Sequence, residues 1–390
     1  MALIRIADDN LVVVMEGLDK LWAFKSRLTI PLANVRGATA DPGIATDFKG
    51  IRAPGSHLPG VIIAGTFHHD GDKVFWDVKD ASKAIVVELA DEEYTRLVLH
   101  RAGHRLRAAL LLPGSGPTDR DGNQPPRSAP DTLAQLAGTL EEDGIATLRF
   151  DKYGTGRTGL GAYKDRPEEL DYPAFVRQAQ AAYRALRDQP ETDPRALLVV
   201  GHSEGAMTGL LLGGTVHPRP AGLALLQPQA IRMLDLVTLQ LKAQVAEAAR
   251  QGQLTPEDQR TISAAIDAAV TSLREQRPVD TTDLPAAIAQ LFEAFQGPNA
   301  RFVTSDDAVH PPDTAAALAP GTRVLLTCGT NDTQVPCFTT NALTTALRQA
   351  HAGRPGRVKL PGVDHLLHSA AHPDALAPPV LDALRRFTRR

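Results

Sequence analysis

Cysteine is nearly absent from this 390-residue chain: Cys328 and Cys337 are the only two. Two cannot make a disulfide scaffold, and a chain of this length does not need one. They flank Asp332 and are read here as packing residues. A surplus of charge of either sign is also lacking, with 42 Lys and Arg against 45 Asp and Glu and a net charge of −3. No stretch interleaves basic with aromatic residues, so a protein built to neutralise nucleic-acid phosphates is excluded. No run approaches the roughly 20 apolar residues of a membrane span. The start, Met1-Ala-Leu-Ile-Arg-Ile-Ala-Asp-Asp, has an acidic pair where a signal peptide would continue its apolar run. No His, Cys, Asp and Glu set has metal-ligand spacing, and Gly154-Thr155-Gly156-Arg157-Thr158 lacks the Walker lysine. The expectation is a soluble, cytoplasmic protein with neither metal nor cofactor.

Apolar residues are not lacking. They make up 43% of the chain, ample for a core, and their pattern splits the sequence in two. In residues 1–94, short β-rich runs (Leu11–Met15, Leu28–Leu32, Val61–Phe67, Lys73–Val78, Ala84–Leu89) alternate with turn signals. Pro42-Gly43, Pro54-Gly55, Pro59-Gly60 and Asp70-Gly71 read as turns, because Pro presets φ and Gly permits positive φ. Both tryptophans, Trp22 and Trp76, fall in this segment, which reads as a small all-β domain.

Residues 95–390 read as α/β. Strand-length apolar runs at Leu106–Leu112, Ile145–Phe150, Ala196–Val200, Gly222–Leu226, Arg323–Thr327 and Arg357–Leu360 alternate with helical stripes such as Leu133/Leu136/Leu140. That alternation implies right-handed crossovers and a doubly wound, mostly parallel sheet with ligands at the strand carboxyl ends. One interval, about 229–320, breaks the pattern with three amphipathic stripes: Leu234/Val237/Leu241/Val245, Ile262/Ile266/Val270/Leu273 and Ile288/Leu291/Phe292/Phe295. It reads as a helical cap. Thr255-Pro256 supplies an N-cap and a first-turn Pro for the middle helix.

Gly201-His202-Ser203-Glu204-Gly205 follows an apolar strand directly and leads into a small-residue helix start. A nucleophile on such a tight strand-to-helix turn needs small neighbours, and the helix dipole lies near the developing oxyanion. A serine hydroxyl is inert without a base, and the base needs an orienting acid. In the order Ser, acid, His, the strand-end loops offer Asp332 and then His365. Asp364 adjoins His365 too closely to meet its ring, and His202 sits beside the nucleophile and points elsewhere. His368 and His372 are weaker bases for lying deeper in helix or loop. Backbone N–H donors for an oxyanion are expected from Glu204 and from Ser115 in the Gly-rich turn Pro113-Gly114-Ser115-Gly116.

The ordered motifs P-G-S-G-P-T-D-R-D-G-N (113–123), R-F-D-K-Y-G-T-G-R-T (149–158), G-H-S-E-G (201–205), G-T-N-D-T-Q-V-P (329–336) and G-V-D-H (362–365) carry a resemblance. The chain resembles bacterial α/β-hydrolases of the serine-aminopeptidase and lysophospholipase-like group over about residues 95–390. The resemblance implies an esterase or acyl hydrolase acting on a small-molecule ester, with Ser203 as nucleophile, His365 as base and Asp332 as acid. It makes Asp119, Arg120 and Asp121 loop-fixing. Pro113 stands where the family's oxyanion turn has His, and Tyr94–His100 with His104–Leu112 must serve where three strands are usual.

Residues 1–94 resemble small bacterial pleckstrin-homology-like domains through Leu21–Phe24, Ile30–Leu32, Leu58–Gly60 and Phe75–Val78. That implies a β-sandwich or barrel closed by a helix, with a protein partner rather than a lipid headgroup, since no Lys/Arg cluster marks a phosphoinositide site. Two rival functions stand beside the esterase. A peptidase would need an acid for the substrate amine, and the cap offers Glu247, Glu257 and Glu293. A non-catalytic receptor or scaffold would use the same fold without turnover.

Overall fold

The computed structural model describes residues 2–7, 9–15, 25–41, 43–44, 51–58, 62–69, 71–78, 83–100, 106–189, 191–352 and 357–389. The chain forms two units, Met1–His104 and Arg105–Arg390.

The first unit is built from two sheets. Strands β1 (Ala2–Ala7), β2 (Asn10–Met15) and β3 (Arg27–Pro31) form an antiparallel meander. Strands β4 (Val35–Ala40), β5 (Ile51–Leu58), β6 (Ile62–His69), β7 (Asp72–Val78), β8 (Ala84–Leu89) and β9 (Arg96–His100) form a second sheet, in the order β4-β8-β9-β7-β6-β5. Alternation explains the packing: Phe75, Leu97 and Leu99 face a core shared with Val13 and Met15 of the meander, while Trp76 and Val98 face the opposite side with Phe67. Gly71, at φ 87°, closes the tight β6–β7 hairpin as expected. Pro54-Gly55 does not form a turn. It lies inside β5, where the register shifts between Arg52 and Gly55, and β5 is an edge strand, the place a residue without N–H is tolerated. Pro42, Leu21–Phe24 and Pro59-Gly60 lie outside the described residues.

The second domain, expected to start at residue 95, starts later: β9 (Arg96–His100) belongs to the first unit. β9 pairs parallel with β7 and antiparallel with β8, and Tyr94 packs edge-on against Phe75. Burial of Leu97 and Leu99 in the first core outweighs any hairpin with the following strand.

The second unit holds one six-stranded sheet: β10 (Leu106–Leu112), β11 (Ala146–Leu148), β12 (Thr192–His202), β13 (Gly222–Leu226), β14 (Val324–Gly329) and β15 (Arg357–Leu360). Its order is β11-β10-β12-β13-β14-β15 and every pairing is parallel. The central strands carry continuous apolar runs (Leu197–Val200, Gly222–Leu226) because both faces are covered. Ala108, Leu110, Leu197, Val199 and Leu225 face α2 (Tyr172–Arg187), α3 (Glu204–Thr215), α8 (Pro311–Ala316) and α9 (Asn341–Gln349). Ala109, Leu111, Leu198, Val200 and Leu226 face α1 (Thr132–Glu142) and α10 (Pro378–Thr388). Strand order reverses between β10 and β12, so the loops after those strands open onto the switch point where such sheets bind ligands. Among the described residues, no helix is long and apolar enough to cross a membrane.

Between β13 and β14 lies the helical insertion: α4 (Met233–Arg250), α5 (Pro256–Arg274), α6 (Ala286–Gln296), α7 (Ala300–Asp307) and α8. The three expected stripes meet in their own core around Leu241, Ile266, Phe292 and Val303. Thr255 caps α5 as expected, and Asp258 returns the bond in a capping box.

The end of α7 ties the insertion down. Asp307 accepts bonds from Arg232, from Leu234 N–H and from Arg274. Asp306 beside it is fully buried; its Oδ1 accepts from Gln229 Nε2 at 3.0 Å and its Oδ2 has no partner among the described residues. Burial, reinforced by the charge of nearby Glu204, pushes the Asp306 carboxyl well above the usual carboxylate range, which favours its neutral form. The folded chain therefore holds this proton to higher pH than the unfolded chain, which sheds it near about pH 4, and stability falls as pH rises above that value. Asp306→Asn keeps the shape and an acceptor for Gln229 but removes this dependence. Urea titrations from about pH 5 to 8 should show the variant gaining on the wild type as pH rises; a constant difference contradicts the assignment.

Candidate active site

Ser203 sits at the turn between β12 and α3 with φ 57° and ψ −122°, a conformation that costs energy for a residue with a Cβ. Its neighbours explain how the turn forms. A Cβ on Gly205 would stand 2.2 Å from Leu112 O, and one on Gly201 would stand 2.2 Å from Gly205 O. Both positions need glycine because backbone passes where a side chain would begin. Ser203 N–H donates to Leu226 O at the end of β13, and Gln229 N–H donates to Ser203 O, which holds the turn from the neighbouring strand.

The next two strand-end loops deliver the expected partners. Ser203 Oγ lies 3.1 Å from His365 Nε2, and His365 Nδ1 lies 2.8 Å from Asp332 Oδ2. With Nδ1–H donating to the carboxylate, Nε2 is left to accept from the serine hydroxyl. Asp332 Oδ1 accepts from the N–H groups of Gln334 and Val335 at 2.9 and 2.7 Å, which fixes the carboxylate plane. Ser203, Asp332 and His365 are 7%, 5% and 8% exposed. The two loops are knit together by Thr330 N–H to Leu360 O and Asn331 N–H to Val363 O. Gly329 permits this approach, because its Cβ would stand 2.2 Å from Val363 O.

Cys328 and Cys337, read from sequence as packing residues, form a disulfide that closes the Asp332 loop. The short helical turn Cys337–Thr340 carries the second cysteine back to the end of β14, with the Cα atoms 5.2 Å apart. Of the other histidines and acids set aside earlier, His202, Asp364 and His372 have other partners, while the buried His368 Nε2 has none among the described residues. His202 Nε2–H donates to His365 O at 2.7 Å; burial, and next the His365 charge, push its pKa down to about 3, so it remains neutral and braces the His365 backbone. Asp364 Oδ1 accepts from His368 N–H, and His372 meets Ser369.

Ser115 and Glu204 both line a cavity of about 510 Å³ that also reaches Ser203 and His365. The insertion contributes Met233, Leu236, Val237, Phe295, Phe302 and Val303 to its wall. The Ser115 loop is held by Thr118 Oγ1 and Gln124 Nε2, which both donate to Ser115 O. The three residues after it anchor loops: Asp119 accepts from Asp121 and Asn123 N–H, Arg120 forks onto Asp151, and Asp121 pairs with Arg149. Arg120 holds the Asp151 carboxyl well below the usual range, with Arg157 N–H adding a further bond.

Lys152, next to Asp151, was not singled out in the sequence. It is buried with Glu204 at the cavity wall, and its ammonium donates to Gly114 O at 2.6 Å and reaches Glu204 Oε1 at 3.4 Å. A lysine in a strand-end turn gives no periodic signal; only the fold brings it to Gly114. Among the described residues, the cap acids Glu247, Glu257 and Glu293 do not line the cavity, and Glu204 is its only acidic lining residue.

The turn geometry gives a direct test. Gly205→Ala should unfold the protein or cost several kcal/mol in a denaturant titration, since the new methyl meets fixed backbone. Gly214→Ala on the same helix, with nothing within 4 Å of the new Cβ, should be neutral or stabilising by up to about 1 kcal/mol. Equal stability of the two variants contradicts this account of the turn.

The chain is similar at low identity to several solved structures. Est1E from Butyrivibrio proteoclasticus, with bound ferulic acid, is 19% identical over 73% of this chain and 89% of that one, with a TM-score of 0.41. An esterase of Pyrococcus furiosus is 12% identical over 88% and 97%, at 0.47. A proline iminopeptidase of Mycobacterium smegmatis is 18% identical over 74% and 92%, at 0.46. No curated protein matches. The family profile is more decisive: the alpha/beta hydrolase family matches residues 109–378, which run from β10 through every loop of the site into the start of the last helix. The chain belongs to the alpha/beta hydrolase family.

Proposed function

We propose that this hydrolase is a serine esterase that cleaves a small-molecule ester with an apolar acyl or alcohol group. The observation that carries the reading is the unbroken hydrogen-bond chain from Ser203 through His365 to Asp332 at the wall of a cavity of about 510 Å³. In this reading Ser203 Oγ attacks the ester carbonyl carbon while His365 Nε2 takes the hydroxyl proton. Asp332 stays ionised and holds His365 Nδ1–H, stabilising the imidazolium. The carbonyl oxygen becomes an oxyanion facing the N–H groups of Ser115 and Glu204, each donor worth about 3–4 kcal/mol. Collapse expels the alcohol, which leaves with the proton from His365. Water then repeats the sequence on the acyl-enzyme and releases the acid.

Two features favour an ester over an aminoacyl amide. Phe175, Leu236, Phe302 and other apolar side chains line the cavity, and Glu204, its only carboxylate among the described residues, already faces Lys152. No lining acid is left free for a substrate amine, which removes the role expected of Glu247, Glu257 or Glu293 in a peptidase. A fluorophosphonate probe should label the wild type and not Ser203→Ala. p-Nitrophenyl acyl esters should be turned over and aminoacyl anilides should not, with kcat falling roughly 10⁴-fold or more in Ser203→Ala and His365→Ala. Equal labelling of wild type and Ser203→Ala sinks the assignment; preference for the anilide moves it to a peptidase.

A further inference from the structure

The serine-hydrolase reading leaves a buried ion pair without a task. Lys152 and Glu204 are 6% and 4% exposed. Removing both charges from water costs several kcal/mol per ion, and such a pair is a poor source of stability compared with apolar packing. Its placement is specific. Lys152 Nζ lies 2.6 Å from the oxygen of Gly114, a short charge-assisted bond. Gly114 C=O and Ser115 N–H belong to one planar peptide and point to opposite sides of it. Fixing the oxygen therefore fixes the direction of the N–H, and a donor on the oxygen polarises that N–H further. The same peptide abuts the nucleophile, since a Cβ on Gly114 would stand 3.4 Å from Ser203 Cβ.

The counter-charge comes from a second residue with a stake in the oxyanion. Glu204 reaches Lys152 Nζ at 3.4 Å through its side chain, while its backbone N–H is the other expected donor. The ring of Phe175 closes another side of the ammonium, 5.7 Å away. Behind Lys152, the Arg120–Asp151 fork bolts its loop to the loop that carries Gly114. Asp306, the remaining acid facing this group, has its carboxyl raised by burial and by the Glu204 charge, and its Oδ1 is already engaged by Gln229 Nε2.

We propose that Lys152 is a positioning residue for the oxyanion site: its ammonium orients and polarises the Gly114–Ser115 peptide, and its pairing with Glu204 locks the two donor peptides to one another. This rests on the serine-hydrolase reading and deepens it. Lys152 touches no reacting atom and acts through the Ser115 N–H, so its removal weakens binding of the tetrahedral state more than binding of the ester.

The test compares wild type, Lys152→Met and the double variant Lys152→Met/Glu204→Gln, which leaves no unpaired charge in the site. Each is assayed with p-nitrophenyl butyrate, with an alkyl trifluoromethyl ketone that binds as a hemiketal oxyanion, and by thermal melting. Both variants should lose about 10- to 100-fold in kcat with KM within about twofold, and affinity for the ketone should fall by a factor that tracks kcat. A folded variant with wild-type kcat overturns the proposal. So does a loss in kcat that leaves ketone affinity unchanged, or a double variant that fails to fold, since the pair would then be structural. Should the wild type fail to turn over the ester or react with fluorophosphonate at Ser203, the esterase reading itself fails, an outcome separate from any behaviour of Lys152.

Discussion

Everything in the second unit depends on one close approach: the backbone of Gly205 passes so near Leu112 O that no side chain fits between them. This contact brings the start of α3 against the end of β10 and bends the chain at Ser203 into positive φ. The strain is held by the surrounding sheet, through Leu226 O and Gln229 N–H, so that the turn is imposed rather than chosen locally. As a result the serine stands at the switch point of the sheet with a helix N-terminus behind it and the Gly114–Ser115 peptide beside it. The later loops need only extend from β14 and β15 to bring Asp332 and His365 into line.

Charge burial follows from the same crowding. The turn leaves Glu204 pointing into the interior, where Lys152 answers it. Asp306 is close enough to feel Glu204, which together with burial raises its carboxyl, while Asp307, one residue on, is lowered by its pairing with Arg274 and Arg232. Two adjacent acids at the end of α7 are thus shifted in opposite directions, Asp306 upward by burial and the Glu204 charge, Asp307 downward by Arg274, Leu234 N–H and Arg232. Through Gln229 and Arg232 these acids also connect the helical insertion to the segment that follows β13. The wall that shapes the cavity and the turn that presents the nucleophile are therefore joined by one polar seam.

Much of this was legible in the sequence, and the rest was hidden for physical reasons. Leu106–Leu112 and Gly222–Leu226 read directly as buried strands because continuous apolar runs have few alternatives in a covered parallel sheet. The three cap stripes and the Thr255 cap were equally local. Ser203, Asp332 and His365 could be named because each lies where a strand run ends, and the structure brings those three side chains into one hydrogen-bond chain. Arg96–His100 was assigned to the wrong unit, since an apolar run carries no record of which sheet it joins. Pro54-Gly55 looked like a turn because only the strand order reveals an edge. The Cys328–Cys337 bond and the contact of Lys152 with Gly114, 38 residues apart, depend on tertiary placement that no spacing rule records.

The central claim is that Ser203 forms a covalent acyl intermediate under the drive of His365. Rapid mixing with p-nitrophenyl butyrate, quenched in acid and followed by peptide mass mapping, tests it most directly. The account predicts a burst of about one p-nitrophenolate per chain and a butyryl group on the peptide containing Ser203. Turnover without a burst would leave the intermediate unobserved, and an acyl group recovered on any other residue while Ser203 stays unmodified would contradict the account.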